Sequence, residues 1–304
     1  MNSPIKLGLI GLDTSHVVVF ADVFNNPAST KALPGARLVA AWPGGSPDLA
    51  SSISRVPGYT AELRDKWGVQ ILDSIEAVVT ASDAILLTSL DGRVHRVQFE
   101  RVAAAAKGKS VFVDKPFALS TADARAIFAT AGKHNVRMFS SSSLRFSEAL
   151  KRVVTPENRA QVRGADFCGA AAHEPTNPGL FWYGIHPTEM LFAAMGRGCK
   201  SVRCVSTENY DLATGVWADG RIGTVRGNRT GNYEFHGVVH FEKNSAHINV
   251  PAETKSFFSC LAETILAFLN GGPVPVEAEE TIELIRFIEA ANESSANGGR
   301  EIVL

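Results

Sequence analysis

The sequence has no excess of positive charge, because its 30 lysines and arginines are balanced by 31 aspartates and glutamates. Binding to nucleic acid needs concentrated basic residues, so we expect no nucleic-acid partner. Cysteine is scarce too, and no second pair or nearby histidine completes a zinc site with the scattered thiols. We therefore expect reduced thiols, no bound metal and a cytoplasmic location. The cysteines are Cys168, Cys199, Cys204 and Cys260.

Long apolar runs are also missing. The first run, residues 7–12, is followed at once by polar residues, so it is too short for the apolar region of a signal peptide. No later run has the length that a membrane-spanning helix needs, and we expect a soluble protein without a membrane partner. The 304 residues exceed what a single hydrophobic core usually supports. They predict two domains, which we place at residues 1–144 and 145–304.

Residues 1–144 contain apolar segments of strand length that alternate with amphipathic segments of helix length. This pattern is typical of a parallel sheet covered by helices on both faces. We predict an α/β fold here, a doubly wound Rossmann sheet with its ligand at the carboxyl ends of the strands. The predicted strands are residues 5–12, 36–42, 84–88, 110–113 and 136–140, and the predicted helices are residues 15–25, 46–67, 94–106 and 121–134.

From residue 145 onward the apolar segments alternate with polar residues at every second position, which predicts an open, mostly antiparallel sheet. We expect an α+β domain that binds substrate, by analogy with two-domain oxidoreductases. The predicted strands are residues 161–171, 201–208, 221–228, 234–242 and 246–250, and the predicted helices are residues 187–195, 255–270 and 278–297.

The turn after the first strand has the sequence Gly11-Leu-Asp-Thr-Ser-His16, where a dinucleotide-binding turn has Gly-x-Gly-x-x-Gly. Only Gly11 matches, and Asp13 and His16 occupy the other two glycine positions. A carboxylate about 4 Å from a phosphate repels it by about 4 kcal/mol at an effective dielectric of 20. We therefore expect Asp13 to cap the next helix, leaving Thr14, Ser15 and the helix N-terminus to hold an anion. A turn that binds nothing is the alternative.

The end of the second strand lacks the acidic residue that normally accepts the adenosine ribose 2′-hydroxyl. The chain has Trp42-Pro-Gly-Gly-Ser46 there, so Ser46 and Arg55 could receive the 2′-phosphate of NADP. The sequence thus leaves the choice between NAD and NADP open. Asp48 is the nearest carboxylate, and its place after a proline favours a helix cap.

Six segments spread over nearly the whole chain match short motifs of one family. They are residues 6–11, 83–88 with His95, 106–116, 143–146, 184–191 and the closing helix up to Leu304. The third ends in Asp114-Lys115-Pro116, where the family usually has Glu-Lys-Pro. In order and spacing the chain resembles the glucose-fructose oxidoreductase / inositol dehydrogenase (Gfo/Idh/MocA) family. The resemblance implies that Gly11, Thr88, His95 and Lys115 lie at a cofactor.

Two further roles follow from the resemblance. Lys115 matches the lysine beside the nicotinamide, where an ammonium stabilises the alkoxide that forms as hydride leaves. His186 matches the acid/base histidine, and a position at a helix N-terminus favours the neutral imidazole that accepts a proton. Glu189, three residues later, could orient the ring. The alternatives are a surface lysine at Lys115 and a buried helix-capping histidine at His186.

One position departs from the family. Its dehydrogenases usually have an aspartate four residues before the histidine, and this chain has Trp182. Tyr183, Glu174 and His173 are nearby replacements, or Trp182 stacks on a sugar-like ring. Arg145 and the serines at positions 140–143 could bind a small polar ligand, and a solvated hinge is the alternative.

The resemblance implies an NAD(P)-dependent oxidoreductase of a sugar, polyol or related hydroxy compound. One alternative is a non-catalytic or regulatory small-molecule binding relative with weakened cofactor binding. A second is a nicotinamide-assisted lyase or glycosidase. Because family members often form dimers or tetramers through the second sheet, the resemblance also implies a homo-oligomer.

Overall fold

The computed structural model describes residues 3–304, which divide into two compact units. The first contains the chain up to Ala118 together with Ala122–Ser141 and Leu261–Glu277. The second contains Leu119–Thr121, Ser142–Cys260 and Ala278–Leu304. This grouping differs from a single division at residue 144 mainly in one late helix, which returns to the first unit because Phe268 packs edge-on against Phe139, with ring centroids 5.1 Å apart.

The first unit is built on six parallel strands in the order β3-β2-β1-β4-β5-β6. The strands are β1 (Ile5–Ile10), β2 (Ala36–Trp42), β3 (Gln70–Ile71), β4 (Ala84–Leu87), β5 (Val111–Val113) and β6 (Met138–Ser140). The central strand β4 is buried along its whole length, as expected for a sheet covered on both faces. The predicted doubly wound Rossmann sheet is confirmed, with its strand order reversing beside β1 and β4.

The helices follow the predicted pattern with three exceptions. They are α1 (His16–Asn25), α2 (Ala50–Ile53), α3 (Val56–Asp65), α4 (Ile75–Ala81), α5 (His95–Ala106), α6 (Thr121–Lys133), α7 (Glu148–Val153), α8 (Ile185–Met195), α9 (Phe257–Leu269) and α10 (Ala278–Ala296). The helix predicted at residues 46–67 is two helices, because Pro57 lacks an N–H and begins a new first turn. The prediction also missed β3, α4 and α7.

The second unit contains seven strands in the order β12-β11-β7-β10-β9-β8-β13. They are β7 (Gly164–Ala170), β8 (Cys199–Ser206), β9 (Tyr210–Trp217), β10 (Ile222–Asn228), β11 (His236–His240), β12 (Ser245–Asn249) and β13 (Ile302–Val303). Neighbours are antiparallel except β7 and β10, so the predicted open, mostly antiparallel sheet is confirmed. Helices α8 and α10 cover one face. The prediction missed β9 and β13.

None of the helices within residues 3–304 combines the length and the apolar character required to cross a bilayer.

Candidate functional site

The turn after β1 is fixed in a conformation that requires glycine. Gly11 has a φ of 90°, and a Cβ there would lie 2.5 Å from the Ser89 backbone. Its N–H donates to the Trp42 carbonyl at 3.0 Å, and its carbonyl accepts from the Thr88 hydroxyl at 2.7 Å. The predicted residue Thr88 therefore supports the turn from the end of β4.

Asp13 does not cap α1, so that prediction is wrong. The helix begins at His16, and its N-cap residue Ser15 makes no side-chain capping bond to any described residue. The buried Asp13 carboxylate instead accepts from the Ser52 hydroxyl at 2.6 Å and from the Leu90 N–H at 2.9 Å. Burial raises the pKa of Asp13. These donors, one from α2 and one from the loop after β4, hold the carboxylate inside the protein.

The predicted cap at Asp48 is wrong as well, because Leu49 is the N-cap of α2 and Asp48 binds Arg93. Ser46 is buried, and its N–H donates to the Ser52 hydroxyl at 2.8 Å. Its own hydroxyl has no hydrogen-bond partner in the part of the chain that the structure describes.

Lys115 lies at the centre of a buried polar group at the end of β5. Asp114 Oδ1 accepts the Lys115 N–H at 2.8 Å, and Asp114 Oδ2 bonds to Nδ1 of His16 in α1. The Lys115 side chain is nine-tenths buried, and the Lys115–Pro116 peptide is cis. Burial lowers the pKa of Lys115, although Asp114 and Asp13 nearby favour its charged form.

Asp114 is a residue of this group that the sequence prediction missed. Burial opposes its ionisation, but the His16 ring and the Lys115 ammonium outweigh that effect and lower its pKa. The only signal in the sequence was its position before Lys115, where the family usually has glutamate. Asp114 is shorter than the usual glutamate, and His16 stands where a dinucleotide-binding turn has glycine. The bond between these two side chains joins α1 directly to the loop that contains Lys115.

His95 contacts the backbone of two neighbouring loops. Its ring is buried, with Nε2 2.7 Å from the Ser89 carbonyl and Nδ1 3.1 Å from the Phe117 carbonyl. Burial lowers its pKa, which favours the neutral ring. The predicted cofactor residue thus connects the loops that follow β4 and β5.

In the second unit, His186 lies in the first turn of α8, as predicted. Its Nδ1 is 2.7 Å from the hydroxyl oxygen of Ser142, which also accepts the Leu144 N–H at 3.2 Å. The Ser142 N–H donates to Glu189 Oε1 at 3.2 Å. The Phe235 ring packs edge-on against the imidazole. Ser142, which the sequence prediction missed as a partner, therefore orients the His186 ring.

Behind Ser142 lies a buried network of charges. Arg145 donates through Nε to Glu189 and through Nη1 to Glu280, each at 2.6 Å, and Arg159 donates to Glu280 at 3.1 Å. Burial raises the pKa of Glu189 against the effect of Arg145. For Glu280 the two arginines outweigh burial and lower the pKa. Within residues 3–304, Arg145 Nη2 has no hydrogen-bond acceptor.

The two aromatic residues before His186, Trp182 and Tyr183, differ in solvent exposure. Trp182 is 9% exposed, whereas Tyr183 is 40% exposed and packs edge-on against it. Glu174 accepts from the Thr176 hydroxyl at 2.9 Å, within its own turn. Among residues 3–304 no group of three or more metal-binding side chains is assembled.

The Rossmann sheet, the Gly11 turn at its carboxyl edge and the polar group around Lys115 define a protein with a nucleotide-binding domain followed by an α+β domain.

Comparison with known proteins agrees with this class. Residues 16–142 match the model of the Gfo/Idh/MocA family, described as an oxidoreductase family with an NAD-binding Rossmann fold. A segment of 118 residues, 38% of the chain, is 36% identical to an inositol 2-dehydrogenase of Cereibacter sphaeroides (strain ATCC 17029 / ATH 2.4.9). That segment spans only 33% of the relative. The predicted resemblance to the Gfo/Idh/MocA family is therefore confirmed over residues 16–142.

Solved structures share the fold over almost the whole chain. The myo-inositol 2-dehydrogenase from Lactobacillus plantarum has a TM-score of 0.80 at 14% identity, covering 99% of this chain and 100% of that one. The scyllo-inositol dehydrogenase from Lactobacillus casei with bound NAD(H) and scyllo-inositol has a TM-score of 0.78 at 16% identity, covering 99% of each chain. At these identities the likeness concerns the fold alone.

Proposed function

We propose that the protein is an NAD(P)-dependent dehydrogenase that oxidises a hydroxyl group of a polyol, sugar or related compound. The observation that carries the proposal is the buried side chain of Lys115 at the carboxyl edge of a Rossmann sheet, where the nearby carboxylates of Asp114 and Asp13 favour its charged form. A buried cation at this edge lies where such sheets bind their ligands. The family and the inositol dehydrogenase relative support the same reaction class.

The residues of the first unit fit a dinucleotide. Gly11 forms the tight turn, and Asp13 does not oppose the phosphates because Ser52 and Leu90 engage its carboxylate. The N-terminus of the ten-residue helix α1, with Thr14, Ser15 and His16, would hold the diphosphate. The buried, unpartnered hydroxyl of Ser46 follows β2, where an adenosine ribose would satisfy it.

A bound nicotinamide supplies the hydride acceptor. We propose that the Lys115 ammonium stabilises the alkoxide oxygen of the substrate and that His186 Nε2 accepts the hydroxyl proton, so that a ketone forms. The proposal requires both side chains to reach one substrate. Arg145, Trp182, Tyr183 and Glu189 stay our predicted substrate contacts, of which Tyr183 is the most exposed.

The test measures nucleotide binding first and catalytic turnover second. Purified protein is titrated with NAD and NADP by calorimetry and then assayed for nucleotide reduction with a panel of inositols, sugars and other polyols. We expect binding and reduction with at least one substrate. Absence of binding at millimolar nucleotide supports the non-catalytic relative, which the changed turn at Asp13 favours. Tight retention of cofactor without net reduction supports the lyase or glycosidase.

Ser142 is predicted to replace the missing aspartate as the positioning residue of His186. A hydroxyl can donate to Nδ1 or accept from it, so it supports either protonation state of the ring. We expect Ser142→Ala to lower kcat by about tenfold to a hundredfold and to leave the KM for NAD unchanged. The Ser142→Thr variant keeps the hydroxyl and should recover most of the activity.

Tautomer populations separate this role from a purely structural one. In nitrogen NMR of histidine-labelled protein, Ser142→Ala should change the His186 signals and the pH profile of kcat. An alanine variant with wild-type kcat and wild-type histidine signals would contradict the assignment.

We also propose a homo-oligomer in the cytoplasm. The four cysteines are free, which suits a reducing compartment. The uncovered face of the second sheet carries the exposed apolar residues Val205, Leu212, Val216 and Ile222 on neighbouring strands. Such a patch favours burial against a second copy of the chain.

A further inference from the structure

Arg93 connects two loops at the carboxyl edge of the first sheet. It lies between β4 and α5, and its guanidinium binds Asp48 in the loop after β2. Nη1 and Nη2 donate to the two carboxylate oxygens at 2.8 and 2.7 Å, the parallel geometry of a strong arginine–carboxylate pair. Because β2 and β4 flank β1 in the sheet, the pair joins the loops on either side of the Gly11 turn.

A second carboxylate binds the opposite edge of the same guanidinium. Nε lies 3.0 and 3.1 Å from the oxygens of Asp91, and Nη2 donates to Asp91 at 2.7 Å. Asp91 is fully buried, whereas the Asp48 side chain is 61% exposed and that of Arg93 is 36% exposed. One cation between two carboxylates gives the cluster a net charge of about −1. The buried partner anchors the guanidinium, and the exposed partner covers its outer edge.

The Asp48–Arg93 pair belongs to the loops in which a Rossmann domain distinguishes NAD from NADP. An acidic residue at the end of β2 normally accepts the 2′-hydroxyl of NAD, and a nearby arginine receives the 2′-phosphate of NADP. Here β2 ends at Trp42, and Asp48 is the first acidic residue after it. The first arginine in the loop after β4 is Arg93, whose outer edge Asp48 already occupies.

We infer that Asp48, by covering Arg93, makes the protein select NAD over NADP. A 2′-phosphate would have to displace Asp48 from both nitrogens and add negative charge to a cluster that is already negative. Without Asp48, Arg93 would still be held by Asp91, and its outer nitrogens would be accessible to a phosphate. Asp48 is therefore a specificity-determining residue that acts through Arg93, and the inference rests on the proposed use of a nicotinamide cofactor.

The experiment measures NAD and NADP affinities of the full-length protein by calorimetry in three forms: wild type, Asp48→Ala and Asp65→Ala. Asp65 is a matched control, because its carboxylate binds Arg64 through two parallel hydrogen bonds and its side chain is 62% exposed. We expect the wild type to bind NAD about tenfold or more tightly than NADP. Asp48→Ala should tighten NADP binding about tenfold, with NAD affinity changing less than about threefold. Asp65→Ala should change neither.

Salt gives a second readout that does not depend on turnover. The new contact with the 2′-phosphate is ionic, so NADP affinity of Asp48→Ala should fall more steeply with added salt than NAD affinity does. Equal or stronger wild-type binding of NADP would overturn the inference. So would an unchanged NAD/NADP ratio in Asp48→Ala, and both outcomes would leave the proposed dehydrogenase intact. Failure of both nucleotides to bind would overturn the proposed function and this inference together.

Discussion

Lys115→Met is expected to abolish turnover and to make the protein more stable. The ammonium is buried, and burial lowers its pKa, so the folded protein bears a cost for holding the charge. Methionine has a similar length and no charge to desolvate. We expect a gain of about 1 kcal/mol in the free energy of unfolding at pH 7, because the variant no longer buries a charge. Loss of the alkoxide-stabilising cation should lower kcat by about a thousandfold.

The pH dependence of this gain follows from the direction of the shift. A lysine whose folded pKa lies below its unfolded value of 10.5 penalises folding while it is charged. The penalty is complete below the folded pKa and disappears as the pH rises toward the unfolded value. The stability difference between variant and wild type should therefore be largest at neutral pH and shrink toward pH 10, as measured by urea unfolding.

Lys243→Met is the control, because Lys243 is exposed in the second unit and its replacement should change stability by less than about 0.5 kcal/mol. A Lys115→Met protein that is less stable than wild type at pH 7 would show that Asp114 and Asp13 more than offset the cost of burial. If the variant retained turnover, Lys115 would not be the group that stabilises the reacting oxygen.

Periodicity in the sequence predicted most of the elements that place these residues. It failed for β3 and β13, which have two residues each and no repeat to detect. It also failed for β9, where Asp211 and Gly215 are turned inward and interrupt the expected apolar face. Short elements of this kind form because neighbouring strands pair with them, which is information that a local pattern does not contain.

The residues of the candidate site likewise fall into those that local patterns predict and those that they do not. Local motifs located Gly11, Lys115 and His186, because each has a turn or a helix end beside it in the chain. The partners that set their chemistry come from distant segments: His16 meets Asp114 across 98 residues, and Ser142 meets His186 across 44. The two capping predictions were wrong for the same reason. Asp13 bonds to Ser52 and Leu90 and Asp48 bonds to Arg93, and all three partners come from other segments of the chain.

Arg145→Met is expected to destabilise the protein by about 3–5 kcal/mol, the usual cost of removing one partner from a buried ion network. The change leaves Glu189 buried without its cation and leaves Glu280 with Arg159 alone. Arg64→Met, in an exposed pair, should cost less than about 1 kcal/mol. Urea unfolding at pH 7 measures both. A loss below about 1 kcal/mol in Arg145→Met would show that the glutamates are not held as buried anions.

Acid should reduce this loss. The pKa of Glu189 is already raised by burial in the wild type, so without Arg145 the carboxyl protonates more readily and its desolvation cost falls as the pH decreases. The pKa of Glu280 is lowered from 4.5, so the stabilisation that Glu280 provides is still complete at pH 5 and is lost only at more acidic pH. The effect of Glu189 therefore makes the difference between variant and wild type smaller at pH 5 than at pH 7.

The double variant Arg145→Met, Glu189→Gln connects this stability to the site. Removing the buried Glu189 charge, which no longer faces Arg145, should recover about 1–2 kcal/mol relative to Arg145→Met. A glutamine at position 189 can still accept the Ser142 N–H, so Ser142 and the His186 ring should keep their positions. If Arg145 serves only the network, the double variant should retain the wild-type KM for substrate. A raised KM with unchanged kcat would instead indicate that Arg145 binds the substrate through Nη2, the nitrogen that has no acceptor within residues 3–304.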